Sequence, residues 1–254
     1  LVNPAGQPER MQLVVRGYND GFAFCYKIPD GKGPCVNVQS ELTAYNFAGD
    51  YTAWFYNGEN HNIGPEKLTE TDGTRLPVMT VKAGDKHYMA IHEACLETGA
   101  PLVLQSKGGE SLFSVASKPT SLSPGYTSAW RVVLYGTTPG VLTDSHLLEL
   151  LNPDPDSRYD FSWVKPGLAV WDWRINGAVW DGFTYGMSYP SWVRMVDFAA
   201  EQGFKYLVLD ANWYGPEFES DSDPVKGEKA QDVQRLLKYG KEKGVGIWLY
   251  LNDV

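Results

Sequence analysis

The stretch FKYLVLDANWYG, residues 204–215, has the pattern of a buried β-strand that ends in polar residues. Residues Lys205 to Asp210 are mostly apolar, and an amide and an indole follow at Asn212 and Trp213. Packing gives no reason for a buried strand to end in a carboxylate, because a buried charge is costly unless it is paired. The end of this strand is therefore a candidate for binding chemistry.

Strands of this kind occur three times after Pro166, separated by helical patterns. The predicted strands are Leu168–Trp173, Lys205–Asp210 and Val245–Leu251. Apolar strands that alternate with amphipathic helices are typical of parallel βα units. A complete (β/α)8 TIM barrel takes about 250 residues. A small open α/β domain is possible, but no closing helix follows the third strand, so we expect a fragment that is cut at both ends.

Two helices are predicted between these strands. Ser191 is the expected N-cap of the first helix and Gly203 its end, and Gly244 ends the second helix. Apolar residues spaced three or four apart mark the face that each helix buries. These residues are Val193, Val196 and Ala200 in the first helix, and Val233, Leu236, Leu237 and Gly240 in the second.

Residues 1–160 are instead predicted to form an antiparallel β-sandwich domain of short strands separated by Gly, Pro and Asn turns. Its first hairpin turns at Asn19–Gly21 and places one apolar row on a face that we expect to be buried. That row consists of Met11, Leu13, Val15, Phe22, Phe24 and Tyr26. Further strands are expected at Glu41–Phe47, Tyr51–Tyr56, Leu76–Val81, His87–His92, Leu102–Gln105, Ser111–Ala116 and Ala129–Tyr135.

The linker Asn152–Pro166, rich in Pro and Asp, is the expected boundary between the sandwich and the barrel segment of residues 161–254. Trp163 within it suggests that the linker packs against something. The chain has three cysteines and no CxxC pair, so neither a disulfide framework nor a zinc site is predicted. Cys25 and Cys35 are close enough in sequence to pair across a hairpin, and two buried thiols are the equal alternative.

Charge and composition exclude several partners. The formal net charge is −9, which argues against binding to nucleic acid or to an anionic membrane surface. No apolar run approaches the roughly 20 residues of a membrane-spanning helix. Aromatic residues make up 13% of the chain, with nine Trp and fifteen Tyr. Such rings often fill cores, and they also stack on the apolar faces of sugars.

All three predicted strands end in carboxylates or amides, and two of them end beside Trp. In parallel α/β folds the functional residues lie at the carboxyl ends of the strands. Sugar hydroxyls need bidentate polar partners, and the sugar C–H face needs an aromatic ring. We therefore predict that substrate is bound by Asp172, Trp173, Asp210, Asn212, Trp213 and Asn252, which Asp253 follows. The alternative is that the acids cap helices or bridge loops and that the Trp residues are core.

Five stretches of the chain, in order and in register, resemble glycoside hydrolase family 97. They are ELTAYNFAGDYTAWFYN (41–57), IHEACLE (91–97), TSAWRVVL (127–134), SWVKPGLAVWDW (162–173) and SYPSWVRMVDFAAEQGFKYLVLDANWYG (188–215). The resemblance implies an N-terminal β-sandwich joined to a (β/α)8 TIM barrel and a small C-terminal β domain. This chain would then hold the C-terminal portion of the sandwich and the first three βα units of an incomplete barrel. It also implies hydrolysis of α-glycosidic bonds in an oligosaccharide by a secreted or periplasmic bacterial enzyme.

The same resemblance implies a calcium ion as cofactor, with Glu93 lending a carboxylate from the sandwich. Because calcium takes six to eight oxygen ligands, the others are expected in barrel loops beyond Val254. Judged without the resemblance, Glu93 is a solvated acid at a strand end. The adjacent His92 is expected to pack or to hydrogen-bond.

Glycoside hydrolysis needs two carboxyl groups, closer together for retention than for inversion. The resemblance places both beyond this chain, so no catalytic residue is assigned and the isolated chain is expected to be inactive. The WDW at Trp171–Trp173 favours the retaining, α-galactosidase-like branch over the inverting α-glucosidase branch. Ala211 and Asn212 stand where family members often carry an acid and a glycine, which puts the sugar specificity in doubt.

Two other functions compete with hydrolysis. A non-catalytic carbohydrate-binding protein would lack carboxylates at the later strand ends. An aldolase or isomerase barrel would carry a lysine at a strand end or a phosphate-binding loop, and neither is found in these three units. The acidic run after the second strand is expected to be a solvated, mobile loop, and it comprises Glu217, Glu219, Asp221 and Asp223.

Overall fold

The computed structural model describes residues 11–56 and 62–252. The chain divides into two compact units, Leu1–Asp156 and Ser157–Val254. The division falls inside the linker of residues 152–166. Trp163 in this linker is 74% exposed, so the packing suggested for it is not found. Within the described ranges, no helix is long and apolar enough to cross a membrane.

The first unit is an antiparallel β domain with two short helices. Its strands are β1 (Gln12–Tyr18), β2 (Gly21–Lys27), β3 (Val36–Val38), β4 (Ala44–Asn46), β5 (Thr52–Tyr56), β6 (Asn62–Lys67), β7 (Asp72–Lys82), β8 (Tyr88–Ala94), β9 (Leu104–Lys107), β10 (Leu112–Val115), β11 (Thr120–Leu122) and β12 (Trp130–Gly136). The helices are α1 (Gly140–Asp144) and α2 (Leu147–Leu151). The expected series of short strands is confirmed.

Ten of these strands join into one curled sheet, in the order β1-β2-β12-β8-β7-β9-β10-β4, with β5 on β7 and β6 on β5. β3 and β11 form a separate pair. The sheet is continuous because β7 takes part in two regions. Its residues Asp72–Arg75 pair with β9, and its residues Met79–Lys82 pair with β8. Two apolar clusters pack on the sheet, one beside β5, β7 and β10 and the other between β2, β8, β12 and α2. They lie on opposite faces of β8, since Ile91 belongs to the first cluster and Ala90 to the second.

The first hairpin has the predicted turn and pairing, but the predicted buried face is wrong. Leu13 pairs with Tyr26 and Val15 with Phe24, so the apolar row does share one face. That face leaves Leu13, Val15 and Phe22 exposed. The opposite face, with Ala23 and Cys25, is buried against β8, β12 and α2. Small side chains allow this close packing, and the larger residues are left outside.

The cysteines follow neither of the two expected arrangements. Cys25 is buried and Cys35 is exposed, and both are free thiols, as is Cys95. Burial raises the pKa of the Cys25 thiol, which Arg16 only partly offsets. Cys25 is therefore a small apolar core residue in this hairpin.

The second unit contains three parallel strands and two long helices. The parallel strands are β13 (Ala169–Trp171), β16 (Tyr206–Leu209) and β17 (Gly246–Leu249), in the order β13-β16-β17. A hairpin of β14 (Val179–Trp180) and β15 (Phe183–Thr184) follows β13. The helices are α3 (Tyr189–Gln202) and α4 (Ala230–Lys243). These elements confirm the predicted alternation of strands and helices in this part of the chain.

The two long helices end where the sequence predicts, because Gly203 and Gly244 adopt left-handed C-caps with φ of 72° and 73°. The start of α3 differs from the prediction. Its N-cap is Ser188, and Ser191 lies inside the first turn, where its Oγ accepts a hydrogen bond from the Gly186 N–H at 2.9 Å. Both helices pack on one face of the parallel sheet, against Leu207 and Leu209 of β16.

Candidate substrate-binding site

The parallel sheet brings the three strand ends to one edge. β13, β16 and β17 are paired in parallel register, so the residues that follow them share the carboxyl side of the sheet. Asp172, Asp210 and Asn252 therefore lie along one edge, as predicted. Asp253 lies outside the described residues. Whether these side chains bind substrate stays a prediction.

Asp172 follows β13 and is 1% exposed. Its Oδ2 accepts a hydrogen bond from Trp192 Nε1 at 2.8 Å, and its Oδ1 accepts one from the Asp210 backbone N–H at 2.9 Å. Burial raises the pKa of the Asp172 carboxyl, and these hydrogen bonds offset that shift only in part. The expected direct contact between Asp172 and a sugar is not supported, because the carboxylate faces protein donors rather than solvent.

Asp210 follows β16 and is half-buried. Its Oδ1 accepts the Ala211 N–H at 2.7 Å, and its own N–H is held by Asp172. The carboxylate thus stands at the end of a strand whose backbone is anchored on both sides of the residue. Of the two predicted substrate carboxylates, Asp210 is partly exposed and Asp172 is buried, so Asp210 is the one open to hydrogen bonds from a sugar.

Asn212 and Asn252 are joined through a residue that sequence reasoning assigned to solvent. Asn212 has φ of 74°, a left-handed conformation that Asn tolerates, and its Oδ1 accepts the Glu217 N–H at 3.1 Å. Asn252 donates from Nδ2 to Glu217 Oε1, and its Oδ1 accepts a hydrogen bond from the Tyr250 hydroxyl at 2.9 Å. The loop after β16 and the end of β17 are thereby linked by side chains.

Glu217 is the site residue that the sequence analysis missed. It was grouped with the solvated acidic run, but it is half-buried and bonded to both predicted amides, unlike the exposed Glu219. The local sequence offers one signal, since Asn212 is five residues away and Gly215 and Pro216 lie between the two residues. Its link to Asn252 spans 35 residues and has no local signature.

The two predicted aromatic platforms differ in exposure. Trp173 is 50% exposed, and the guanidinium of Arg174 lies 4.8 Å from its ring centroid and 5.0 Å from that of Trp171. Trp213 is only 4% exposed and belongs to the apolar cluster beneath α3 and α4. Its Nε1 donates to the Tyr250 carbonyl at 2.7 Å. Trp213 is therefore a core residue, and its predicted contact with a sugar is not supported.

Glu93, the predicted calcium ligand, lies at the end of β8 in the first unit. Its Oε2 accepts the Leu102 N–H at 2.8 Å and lies 3.4 Å from Nη1 of Arg131. Arg131 makes shorter hydrogen bonds to Glu41, at 3.0 and 2.7 Å. Glu93 is thus a largely buried, paired acid whose side chain is 12% exposed, which differs from the solvated acid expected from the residues alone.

The network around Arg131 unites three of the stretches quoted above. Glu41 comes from residues 41–57, Glu93 from residues 91–97 and Arg131 from residues 127–134. Burial alone would lower the pKa of Arg131, but hydrogen bonds and charge from Glu41, with Tyr45 and Glu93, raise it overall. Among the described residues, the buried hydroxyl of Tyr45 beside this network has no hydrogen-bond partner, and desolvation raises the pKa of Tyr45.

These residues do not complete a calcium site. Within residues 11–56 and 62–252, no group of three or more His, Cys, Asp or Glu side chains could hold a metal ion. One carboxylate is far short of the six to eight oxygens that calcium takes. Glu93 has the donor chemistry of one calcium ligand.

The environment of His92 indicates that the stability of the first unit depends on pH. Burial lowers the pKa of His92 from its ordinary value of 6.5, and Glu93 offsets this only in part. Its Nδ1 accepts the Glu93 N–H at 2.8 Å, a hydrogen bond that a protonated ring nitrogen cannot accept. The unfolded chain therefore takes up a proton below pH 6.5 before the folded one does. Stability present above pH 6.5 is lost as the pH falls toward the folded-state pKa.

The variant His92→Gln is expected to flatten this loss, by at most about 1.4 kcal/mol per pH unit for one proton. Urea unfolding of the chain measured at pH 7.5, 6.5 and 5.5 checks it. The matched control is His146→Gln, because the side chain of His146 is 82% exposed. Equal pH slopes for native chain and His92→Gln would contradict the prediction.

Comparison with known proteins places both units in one family. The sequence model of the glycosyl-hydrolase 97 N-terminal region matches residues 2–153, and that of glycoside hydrolase 97 matches residues 170–254. A retaining alpha-galactosidase of Bacteroides thetaiotaomicron is 28% identical over 94% of this chain and 41% of its own length. A probable retaining alpha-galactosidase of Streptomyces bingchenggensis is 29% identical over 96% of this chain and 38% of its own length. The chain spans about two fifths of these relatives.

Solved structures share the fold of the chain. A glycoside hydrolase family 97 enzyme from Pseudoalteromonas sp. strain K8, in complex with acarbose, superposes with a TM-score of 0.75 at 24% identity and covers 93% of this chain and 39% of its own. A beta-arabinopyranosidase gives a TM-score of 0.71 at 19% identity and covers 96% of this chain and 42% of its own. These structures show the fold alone, and the two sequence models, which together cover most of the residues, show that the chain belongs to glycoside hydrolase family 97.

Proposed function

We propose that this chain is part of a retaining glycoside hydrolase that removes terminal α-linked galactose from oligosaccharides. One observation carries the proposal. The carboxyl edge of the parallel sheet collects Asp210, Glu217 and Asn252, hydrogen-bonding groups suited to sugar hydroxyls, beside the exposed ring of Trp173. The names of the two retaining relatives support the choice of galactoside and of retention.

In this proposal the three parallel strands begin a (β/α)8 barrel, and the residues of this chain bind and orient the sugar. The catalytic nucleophile and the general acid/base are carboxyl groups on later strands, separated by the roughly 5–5.5 Å that retention requires. Asp210 accepts hydrogen bonds from hydroxyls, and Trp173 stacks on the C–H face of the ring. These contacts position the scissile bond. Such positioning can lower the activation free energy of hydrolysis by several kcal/mol.

The test uses the full-length protein, meaning the natural polypeptide that contains this chain. Its kcat/KM for an aryl α-galactoside is expected to exceed that for the matching aryl α-glucoside. Proton NMR of the released sugar is expected to show the α-anomer first. Preference for the glucoside with initial release of the β-anomer would favour an inverting α-glucosidase. Binding of oligosaccharide without turnover would favour a carbohydrate-binding protein.

We also propose that the full-length protein binds calcium through Glu93 and oxygen ligands outside the described residues. One support is that Glu93 has a carboxylate, the kind of oxygen ligand that calcium binds. Another is that Arg131 makes its two short hydrogen bonds to Glu41 and contacts Glu93 only at 3.4 Å, so Glu93 is the less tightly paired acid. When bound, the ion would polarise a substrate oxygen. Calorimetric titration with calcium is expected to show weaker binding by Glu93→Gln. Export to the periplasm or medium stays a prediction, which cell fractionation checks.

Glu217 is expected to contribute to substrate binding at this edge. In the full-length protein, Glu217→Gln is expected to raise the KM for the aryl α-galactoside about 10-fold, because a charge-assisted hydrogen bond to a hydroxyl is worth about 1.5–3 kcal/mol. The value of kcat is expected to change much less. Steady-state kinetics measures both constants.

The control for this variant is Glu219→Gln, since Glu219 belongs to the same acidic run but is exposed. It is expected to leave KM unchanged. Similar effects of the two variants would show that the loop acts through its total charge. They would contradict a specific role of Glu217 in substrate binding.

A further inference from the structure

Asp172 has an environment that direct sugar binding does not explain. It follows β13 and opens a short 3₁₀ turn, Asp172–Ile175, at the edge that carries the candidate site. An acid at a sheet edge is ordinarily solvated, whereas this one is 1% exposed. The position of this carboxylate is therefore explained by its contacts within the protein and not by contact with solvent or ligand.

Besides the adjacent backbone N–H of Trp173, the partners of Asp172 are N–H donors from two other elements. On one side, Trp192 of α3 is fully buried and donates its indole N–H at 2.8 Å. On the other side, the backbone N–H of Asp210 donates at 2.9 Å. A single carboxylate thus connects the end of β13, the buried face of α3 and the end of β16. The Asp210 bond holds the backbone of the residue whose partly exposed carboxylate is a candidate for sugar binding.

Burying the Asp172 carboxylate next to Asp210 is electrostatically unfavourable. Desolvation raises the pKa of Asp172, and the charge of Asp210 adds to that, against the lowering by the N–H donors. A buried acid of this kind is tolerated where its acceptor capacity is needed. The amide of Asp210 leaves the regular ladder at the end of β16, and a carboxylate from the neighbouring strand fixes it there.

We propose that Asp172 is a positioning residue that fixes the backbone of Asp210 and thereby aims the Asp210 carboxylate at the sugar. This inference rests on the proposed function for the role of Asp210. The two hydrogen bonds that Asp172 accepts from other elements have separable effects. The bond from Trp192 stabilises the unit, and the bond from Asp210 sets the geometry of the site.

The experiment compares Asp172→Asn, Trp192→Phe, Asp210→Asn and the double variant Asp172→Asn/Asp210→Asn in the full-length protein. Asp172→Asn is expected to lower kcat/KM for the aryl α-galactoside by about 10- to 100-fold, as expected of a misplaced binding group. Trp192→Phe is expected to lower Tm and to change kcat/KM less than about twofold. In the Asp210→Asn background, adding Asp172→Asn is expected to cost less than about threefold, because residues that act as a unit are not additive.

Hydrogen exchange gives a readout that does not depend on activity. Peptides covering residues 206–212 are expected to exchange faster in Asp172→Asn than in the native protein, and at the native rate in Trp192→Phe. Unchanged exchange in Asp172→Asn, or fully additive effects in the double variant, would overturn the proposal. Faster exchange in a protein without glycosidase activity would keep the link to Asp210 and reject the proposed function instead. If Asp172→Asn does not fold, Asp172→Ser retains one acceptor and the same pattern is expected of it.

Discussion

Replacing Arg131 with methionine is expected to lower the free energy of unfolding of the first unit by about 3–5 kcal/mol. Arg131 is almost fully buried and is paired with Glu41 at 2.7 Å and with Glu93 at 3.4 Å. Without the guanidinium, two acids with largely buried side chains remain without a cation. The loss therefore comes from uncompensated charge and not from the volume of the side chain, which methionine largely fills.

The triple variant Glu41→Gln/Glu93→Gln/Arg131→Met separates charge from packing. Removing all three charges is expected to recover most of the lost stability, since replacing a buried ion network by neutral groups is often nearly neutral. Urea titration, with hydrogen exchange of peptides from β8 and β12, measures the effect in the first unit.

A control for this series is Lys82→Met in the same unit. Lys82 lies 3.9 Å from Asp85, whose side chain is 98% exposed, so the loss is expected to stay below about 1 kcal/mol. Comparable losses for Lys82→Met and Arg131→Met would show that solvent screens the Arg131 network. No recovery in the triple variant would mean that packing, not charge, makes Arg131 necessary.

The elements of the second unit could be predicted because their signals are local. Helix ends at Gly203 and Gly244 follow from a residue that adopts the left-handed conformation without strain. The parallel strands follow from apolar runs between those helices. The Arg131 network could not be predicted in this way, because Glu41 is 90 residues away in sequence and Glu93 is 38. Such pairs exist only after the sheet has formed.

The predicted buried face of the hairpin and the predicted sugar contacts of Asp172 and Trp213 were not found, for a related reason. In β1 and β2, both faces carry residues that can be buried, so alternation alone does not decide which face packs. The larger residues suggested the wrong face, because the neighbouring elements pack against the face with Ala23 and Cys25. At the strand ends, acids and indoles identified residues that share the carboxyl edge of the parallel sheet. Their roles depended on the burial of each side chain, and Asp172 and Trp213 turned out to face the interior.

Trp213 and Trp173 follow adjacent strands and looked equivalent in the sequence, yet their substitution is expected to have opposite consequences. Trp213→Ala is expected to lower the free energy of unfolding of the second unit by about 3–5 kcal/mol, because it removes a buried ring and leaves a cavity. It also leaves the Tyr250 carbonyl without the indole N–H that it accepts at 2.7 Å. Trp173→Ala is expected to cost about 1 kcal/mol or less, since its ring is half exposed and its contact with Arg174 is a surface one.

Kinetics of the full-length protein are expected to reverse this order. Trp173→Ala removes the stacking face and raises the KM for the aryl α-galactoside, while Trp173→Phe retains a ring and restores most of the affinity. The conservative variant Trp213→Phe keeps the core filled, so it is expected to leave KM unchanged while still lowering Tm. A large KM effect of Trp213→Phe at a temperature where it is fully folded would mean that the indole reaches the substrate after all. The edge of the sheet would then be more open than the hydrogen bond from Trp213 to Tyr250 allows.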